Sequence, residues 1–153
     1  MAHDEAFKAI HNGVFVITTR EGDRVNGMTA AWVMRTSFDP PMVAVSVGTS
    51  RYSHGLIRES GVFAVNVLSE GQVEQGKLFG FRSGRNTDKF EGLEYGSGAT
   101  GSPILKDISA YLDCRVVGSL DTGDHTIFVG EVVDSRAHGD RPPLPFRRKD
   151  FFG

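Results

Sequence analysis

The sequence predicts a mainly β fold with short helices: a β-barrel carrying peripheral helices. Three observations lead there. Runs of β-branched and aromatic residues recur at least five times within 153 residues. Most are bounded by Gly, Pro or Asp turn residues. The helical stretches between them are short, unlike the regular strand–helix alternation of a doubly wound parallel sheet. At this length a single domain, 1–153, is expected, able to bury a core without staples.

The elements follow in order. Ala6 to Ile10 reads as a short opening helix. Gly13 to Thr19 is a strand, followed by turn residues at Glu21-Gly22-Asp23. Gly27 to Met34 and Met42 to Val47 are two further strands, separated by the rigid turn Asp39-Pro40-Pro41. Tyr52 to Glu59 reads as a helix closed by Ser60-Gly61, since glycine ends helices by entering the left-handed region. Val62 to Leu68 is a fourth strand and Gln72 to Phe81 is helix-like. Arg82 to Pro103 reads mostly as loop. Ser109 to Leu120 and Thr126 to Ala137 are long strands joined by the turn Asp121-Thr122-Gly123-Asp124. Pro142 to Phe146 is too proline-rich for a core strand and is expected on the surface.

Composition narrows the function. Lys and Arg number 17 against 19 Asp and Glu, a net charge of −2, so the basic excess that neutralises nucleic-acid phosphates is missing. The single cysteine, Cys114, excludes an internal disulfide and a cysteine metal cluster, and fits a reducing compartment. The five histidines lack metal-ligand spacing, so no metal is expected. The N-terminal residues lack the basic and apolar regions of a signal peptide, and no apolar run approaches the ~20 residues of a membrane span. A cytoplasmic protein without membrane or nucleic-acid partners is expected.

Two motifs mislead. Gly96-Ser97-Gly98-Ala99-Thr100-Gly101 matches the dinucleotide G-x-G-x-x-G pattern, but a poor strand precedes it and Pro103 interrupts any following helix, so it reads as a flexible glycine loop. Asp121-Thr122-Gly123 matches the aspartic-protease triplet, whose chemistry needs a second aspartate. A hairpin turn is the simpler reading. No nucleophile elbow or phosphate-binding P-loop occurs.

Four ordered segments carry more information. They are Asn26-Gly27-Met28-Thr29-Ala30-Ala31-Trp32, with Ser37 to Pro41 after it; Ser46 to Gly61, leading into Phe63-Ala64-Val65-Asn66; Phe79 to Phe90; and Gly123-Asp124-His125, running on to Val132. Small residues at Gly27, Thr29, Ala30 and Ala31 either pack a barrel strand or let a backbone approach a ligand closely. Trp32 suits a core or a ring contact. Ser53 reads as a helix cap, while the same helix start, with Arg51 beside it, is a ready anion site. By default Lys89, Arg82 and Arg85 are solvated charges, and His125 caps a turn.

In order and spacing these segments closely resemble the flavin reductase-like family, from about Phe7 to about Val133. The resemblance implies a six- or seven-stranded antiparallel split β-barrel of the FMN-binding type, built as a homodimer. It implies an NAD(P)H-dependent flavin reductase that passes a hydride from nicotinamide to flavin N5. The cofactors are then FMN, or FAD, with NAD(P)H as hydride donor. The alternative within the family is an FMN electron carrier of the flavoredoxin type that serves protein partners. Reduced flavin would go to a monooxygenase partner, ferric iron or another redox protein. Flavin contacts are implied at Asn26, Met28, Thr29, Ala30, Ala31, Trp32, Ser46 and Val47. Ser50, Arg51, Ser53 and Lys89 fall at the phosphate, and His125 at the nicotinamide as the catalytic candidate. Phe146 and Phe151 occupy a tail that in related proteins folds toward the flavin, commonly with tyrosines. Because the cofactor carries the hydride chemistry, no acid–base side chain is demanded.

Overall fold

The computed structural model describes residues 2–152, and Met1 and Gly153 lie outside it. Nine strands and four helices follow in the order α1 (Asp4–Phe7), β1 (Phe15–Glu21), β2 (Arg24–Ala30), β3 (Val33–Ser37), β4 (Met42–Gly48), α2 (Tyr52–Ser60), β5 (Val62–Val67), α3 (Val73–Phe81), β6 (Tyr95–Ser97), β7 (Pro103–Leu105), β8 (Ala110–Thr122), β9 (His125–Ala137) and α4 (Arg148–Phe152).

Seven strands form one sheet in the order β2-β1-β5-β8-β9-β4-β3, antiparallel throughout. The two edge strands, β2 and β3, are joined through Ala31 and Trp32 alone. The sheet therefore curls until its ends meet, and the missing β2–β3 ladder is the split. One apolar cluster fills the interior: Ile17, Met28, Val43, Val45, Val47, Phe63, Val65, Cys114 and Phe128, with Ile57 from α2. On β4 the alternation is strict, with Val43, Val45 and Val47 buried and their neighbours facing out, as a two-residue repeat requires. Gly130 lies where a Cβ would come within 2.7 Å of Phe63 and Cys114, so only a glycine lets β9 pass this packed point.

A second cluster covers the other face of β1. Val14, Val16, Leu68, Phe79, Phe90, Leu105, Ile108 and Leu144 bring together α3, the β6–β7 hairpin and the C-terminal segment. Val16 and Ile17 point to opposite faces of β1, yet both are fully buried, so this strand is sandwiched. Among the described residues no helix is long and apolar enough to cross a membrane.

The structure changes four expectations. The run from Gly27 to Met34 is two strands broken at Ala31-Trp32, because the chain there crosses from one edge of the barrel to the other. Arg82 to Pro103 contains a short hairpin, β6–β7. The glycine loop is its turn and is held in place: the buried Asp113 carboxylate accepts bonds from the Thr100 N–H at 2.8 Å and the Thr100 hydroxyl at 2.6 Å. A Cβ on Gly98 would collide with that carboxylate. The proline-rich tail does not simply run over the surface. Leu144 is 2% exposed and exchanges backbone bonds with Val14 and Leu68, at 3.1 and 2.8 Å. The expected turn narrows to Gly123-Asp124, with Gly123 at φ 69°, because Asp121 and Thr122 still pair with Thr126 and His125.

Candidate functional site

A cleft of about 670 Å³ opens where β2 ends. Its floor is the run Met28, Thr29, Ala30 and Ala31. α3 lies close over this run because both surfaces are small. The Thr29 hydroxyl donates to the Gly76 carbonyl at 2.6 Å, and a Cβ on Gly80 would sit 3.3 Å from Thr29 Cβ. Trp32, at the strand break, forms one wall and is 56% exposed, so it is not a core residue. Its ring meets His125 with centroids 4.8 Å apart and planes tilted by 44°.

His125 is brought there by the β8–β9 turn. The turn is tied to the end of β4 by Thr49, whose N–H and hydroxyl both donate to the Asp124 carbonyl, at 2.9 and 3.2 Å. His125 Nδ1 lies 2.7 Å from Asp124 Oδ1. That carboxylate only accepts, so Nδ1 carries the proton and Nε2 is left for the cleft side, near Gly48. The hydrogen bond and charge of His125 hold the Asp124 carboxyl below its usual range.

The cleft continues past Ser50, Arg51, Gly80 and Phe81 into a second cavity of about 250 Å³, lined also by Asn26, Tyr52, Arg82, Arg85 and Lys89. Arg51 is the N-cap of α2 in an extended conformation (φ −74°, ψ 142°) without a side-chain cap bond. The first N–H groups of α2 therefore begin at this cavity. The Arg51 guanidinium donates to the Phe79 carbonyl at 3.3 Å, and burial lowers its pKa. Lys89, 4% exposed, donates to the carbonyls of Gly27 at 2.8 Å and Phe79 at 3.1 Å. Loss of water and, secondarily, the charge of Arg51 bring its pKa down to about 8.

The sequence-predicted residues thus divide. Met28, Thr29, Ala30, Ala31, Trp32, Ser46, Ser50, Arg51 and His125 line the cleft, and Asn26 and Lys89 line the cationic cavity. Val47 lies in the barrel core, fully buried. Ser53 is fully buried and does not cap α2; its hydroxyl accepts from the Asn26 amide at 2.8 Å, pinning the helix start to β2. Ser53 lies in neither lining.

Several lining residues were absent from the sequence reading. Phe81 closes α3 over the cleft, and α4 adds Phe152 beside Phe146 and Phe151. Phe81 meets Phe152 edge-on at 5.7 Å, and Phe146 stacks on Phe151 at 5.7 Å. The available signal was Phe146, Phe151 and Phe152 within a stretch of basic residues. Tyr52, read only as a helix residue, faces the cationic cavity.

The donor set suits a flat, polar-edged ring with a phosphate on its chain. Small-residue backbone and aromatic walls lie at one end, and the buried Lys89, the half-buried Arg51 and a helix start lie at the other. Comparison with known proteins agrees with this arrangement. A ferric-chelate reductase (NAD(P)H) from Archaeoglobus fulgidus is 35% identical over 93% of this chain and 85% of its own length. A high molecular weight rubredoxin from Moorella thermoacetica is 38% identical over 91% of this chain, which spans 63% of that protein. The solved structure of an NADH:FAD oxidoreductase from Streptomyces globisporus superposes with a TM-score of 0.86 at 29% identity, over 95% of this chain and 90% of that one. The model of the flavin reductase like domain matches residues 7–153. With the split barrel, the small-residue strand end and the cationic pocket in one cleft, that match makes this chain a member of the flavin reductase-like family.

Proposed function

We propose that the protein is an NAD(P)H:flavin oxidoreductase that holds FMN in the cleft described above. The observation that carries this is the continuity of the cleft from an aromatic-walled, small-residue end to a cationic end. That complements the shape and charge of a flavin mononucleotide. Met28 to Ala31 and Ser46 would face the ring edge, Trp32 would bound the ring, and Ser50, Arg51 and Lys89 would hold the phosphate. When bound, flavin supplies the hydride-accepting centre and nicotinamide the hydride. His125, with its tautomer set by Asp124, would present Nε2 toward a nicotinamide carboxamide and orient it over the ring. Phe81, Phe146 and the α4 phenylalanines would exclude water from that face.

The names of the relatives support a reductase acting from a nicotinamide, with electrons passing on to iron or to a redox protein. The single buried cysteine, Cys114, suits the reducing cytoplasm, and an apolar outer sheet face suits a homodimer.

The deciding experiment is anaerobic mixing of the flavin-loaded protein with NADH or NADPH while flavin absorbance is followed. Bleaching is expected, and His125→Ala should slow it more than it weakens FMN binding. A protein that takes FMN but is bleached by neither nicotinamide is instead an electron carrier of the flavoredoxin type. A protein that takes no flavin overturns the reading.

A further inference from the structure

His125 opens β9 at the tip of a hairpin whose two strands run 13 residues each. The last residues of β8 are exposed, so the place of the tip depends on what ties it down. Thr49 supplies one tie, donating twice to the carbonyl of Asp124, the residue before His125. A second tie grips the residue after it. The Thr126 hydroxyl lies 2.8 Å from His54 Nε2 on α2 and donates to Asp121 Oδ1 at 3.1 Å. Successive strand residues face opposite ways, so Thr126 turns inward, fully buried, while His125 turns out to the cleft.

Proton count sets the direction of this bond. The single Thr126 hydroxyl proton goes to Asp121, a carboxylate that only accepts, so His54 gives its Nε2–H to Thr126 Oγ1. Burial, and then the charge of Arg58, lower the His54 pKa against the pull of Asp121. At neutral pH the ring is therefore an uncharged donor. The Phe128 ring stands edge-on to it at 5.4 Å, and Arg58, one turn further along α2, reaches Asp121 at 3.5 Å. Neither His54 nor Thr126 lines the cleft or the cationic cavity. Their bond joins the helix that begins at that cavity to the strand that carries His125.

We propose that His54 is a positioning residue: through Thr126 it fixes the start of β9, and so the aim of His125 Nε2 toward the nicotinamide. The proposal rests on the role given to His125 above. The ring contacts of His125 are to Asp124, whose side chain is 93% exposed, and Trp32, itself 56% exposed. Such partners move with solvent, so the ring's place follows its main chain. Ties on residues 124 and 126 bracket that main chain. A hydrogen bond to a carboxamide holds only within a few tenths of an ångström, and small misplacements near a reacting centre are costly.

Stopped-flow reduction of the flavin-loaded protein by NADH or NADPH, beside proton NMR of the flavin-free protein, tests it. His54→Ala and Thr126→Val each remove the tie, and His54→Gln restores an N–H near the place of Nε2. Both disrupting variants should lower the limiting reduction rate roughly two- to tenfold, the value of one hydrogen bond. FMN affinity should be unchanged, and His54→Gln should recover most of the rate. In a His125→Ala background His54→Ala should cost nothing further, because it acts through that ring. Without flavin, the His125 ring protons, shifted by the Trp32 ring current, should move toward their unstructured values in His54→Ala and return in His54→Gln. Additive losses in the double variant, or His125 resonances that stay put in both disrupting variants, overturn the proposal and leave His54 a structural contact. So does FMN affinity that falls in step with the rate, since the effect would then run through α2 and the phosphate. If His125→Ala alone leaves reduction unchanged, the reading of His125 fails beneath the proposal, and the NMR spectra still decide whether His54 places the ring.

Discussion

Lys89 puts a cation among carbonyl oxygens, its hydrogen-bonding partners among the described residues, and this gives flavin binding a pH dependence. Its folded pKa is held down to about 8, first by lost hydration and then by Arg51. The unfolded chain keeps lysine's ordinary, higher value. Between the two values the unfolded state binds the extra proton, so Lys89 makes folding stability rise with pH there. Phosphate binding runs the other way. Below about pH 8 the ammonium is already charged; above it, binding the anion must take up a proton. FMN affinity should therefore fall above about pH 8, by at most roughly tenfold per pH unit for one linked proton. Riboflavin, which lacks the phosphate, should show no such fall. Lys89→Ala should weaken FMN about 10- to 100-fold, the value of one charged hydrogen bond, and flatten the profile. Titration of both flavins across pH measures this. Parallel curves for the two would mean that Lys89 supports the ring or the fold and not the phosphate.

At the scale of elements, what was legible in the sequence depended on whether a local signal agreed with the tertiary environment. α2 could be read because Gly61 stops it in the left-handed region at φ 70°. β5 and β9 could be read because their β-branched residues have a sheet neighbour on each side. The break between β2 and β3 could not, because Ala31 and Trp32 carry no turn chemistry; barrel closure imposes it. α4 is five residues long, too short to display a helical period, and Phe151 docks where a Cβ on Gly76 would come within 2.9 Å. Such a contact is invisible until α3 and the tail meet. The site followed the same division. Its strand and helix-start residues were read from ordered motifs, whereas Phe81, Phe152 and Tyr52 join it only through packing. Ser53, which the resemblance implies at the phosphate, accepts from Asn26, a long-range contact that its place at a helix start does not reveal. The glycine loop yields the prediction proper to this scale. It gives the Thr100 N–H and hydroxyl to an internal carboxylate, Asp113. Gly98→Ala should crowd that carboxylate and lower the melting temperature, by several degrees for about 1–3 kcal/mol in a chain of this length. FMN affinity and NAD(P)H oxidation should be unchanged in the folded variant. A loss of nicotinamide or flavin binding with the melting temperature intact would restore a ligand role to the loop.

The register of the whole sheet shows a face that the monomer leaves uncovered. Met34 lies opposite Ala44 and Ala44 opposite Val129. Two residues along, on the same face, Ser46 lies opposite Ile127 and Ile127 opposite Leu120. The intervening rows, such as Val45 with Phe128, point into the core, so both of these rows face outward. Met34 is 65% exposed and Leu120 62%. Beyond Val116, whose N–H donates to the Gly61 carbonyl at 2.8 Å, β8 pairs with no strand on its β5 side among the described residues, and its last residues are exposed. An apolar surface spanning β3, β4, β9 and β8, beside an unpaired edge, is what a monomer avoids and an obligate dimer uses. The same face continues into the cleft through Trp32 and Ser46, whose backbones are joined by a 3.1 Å bond. Dimerisation across it would bring a second copy against the exposed side of the flavin ring, so assembly and cofactor binding should be coupled. Light scattering should give twice the 16.7 kDa chain mass. Leu120→Glu, which places a charge on this face away from the cleft lining, should shift the protein toward monomer and weaken FMN binding in the same concentration range. At protein concentrations high enough to restore the dimer, the flavin should return, since ligand and partner stabilise one state by mass action. A native chain that scatters as 16.7 kDa, or a Leu120→Glu monomer that binds FMN as tightly as the native protein, would separate the cleft from the interface and sink this coupling.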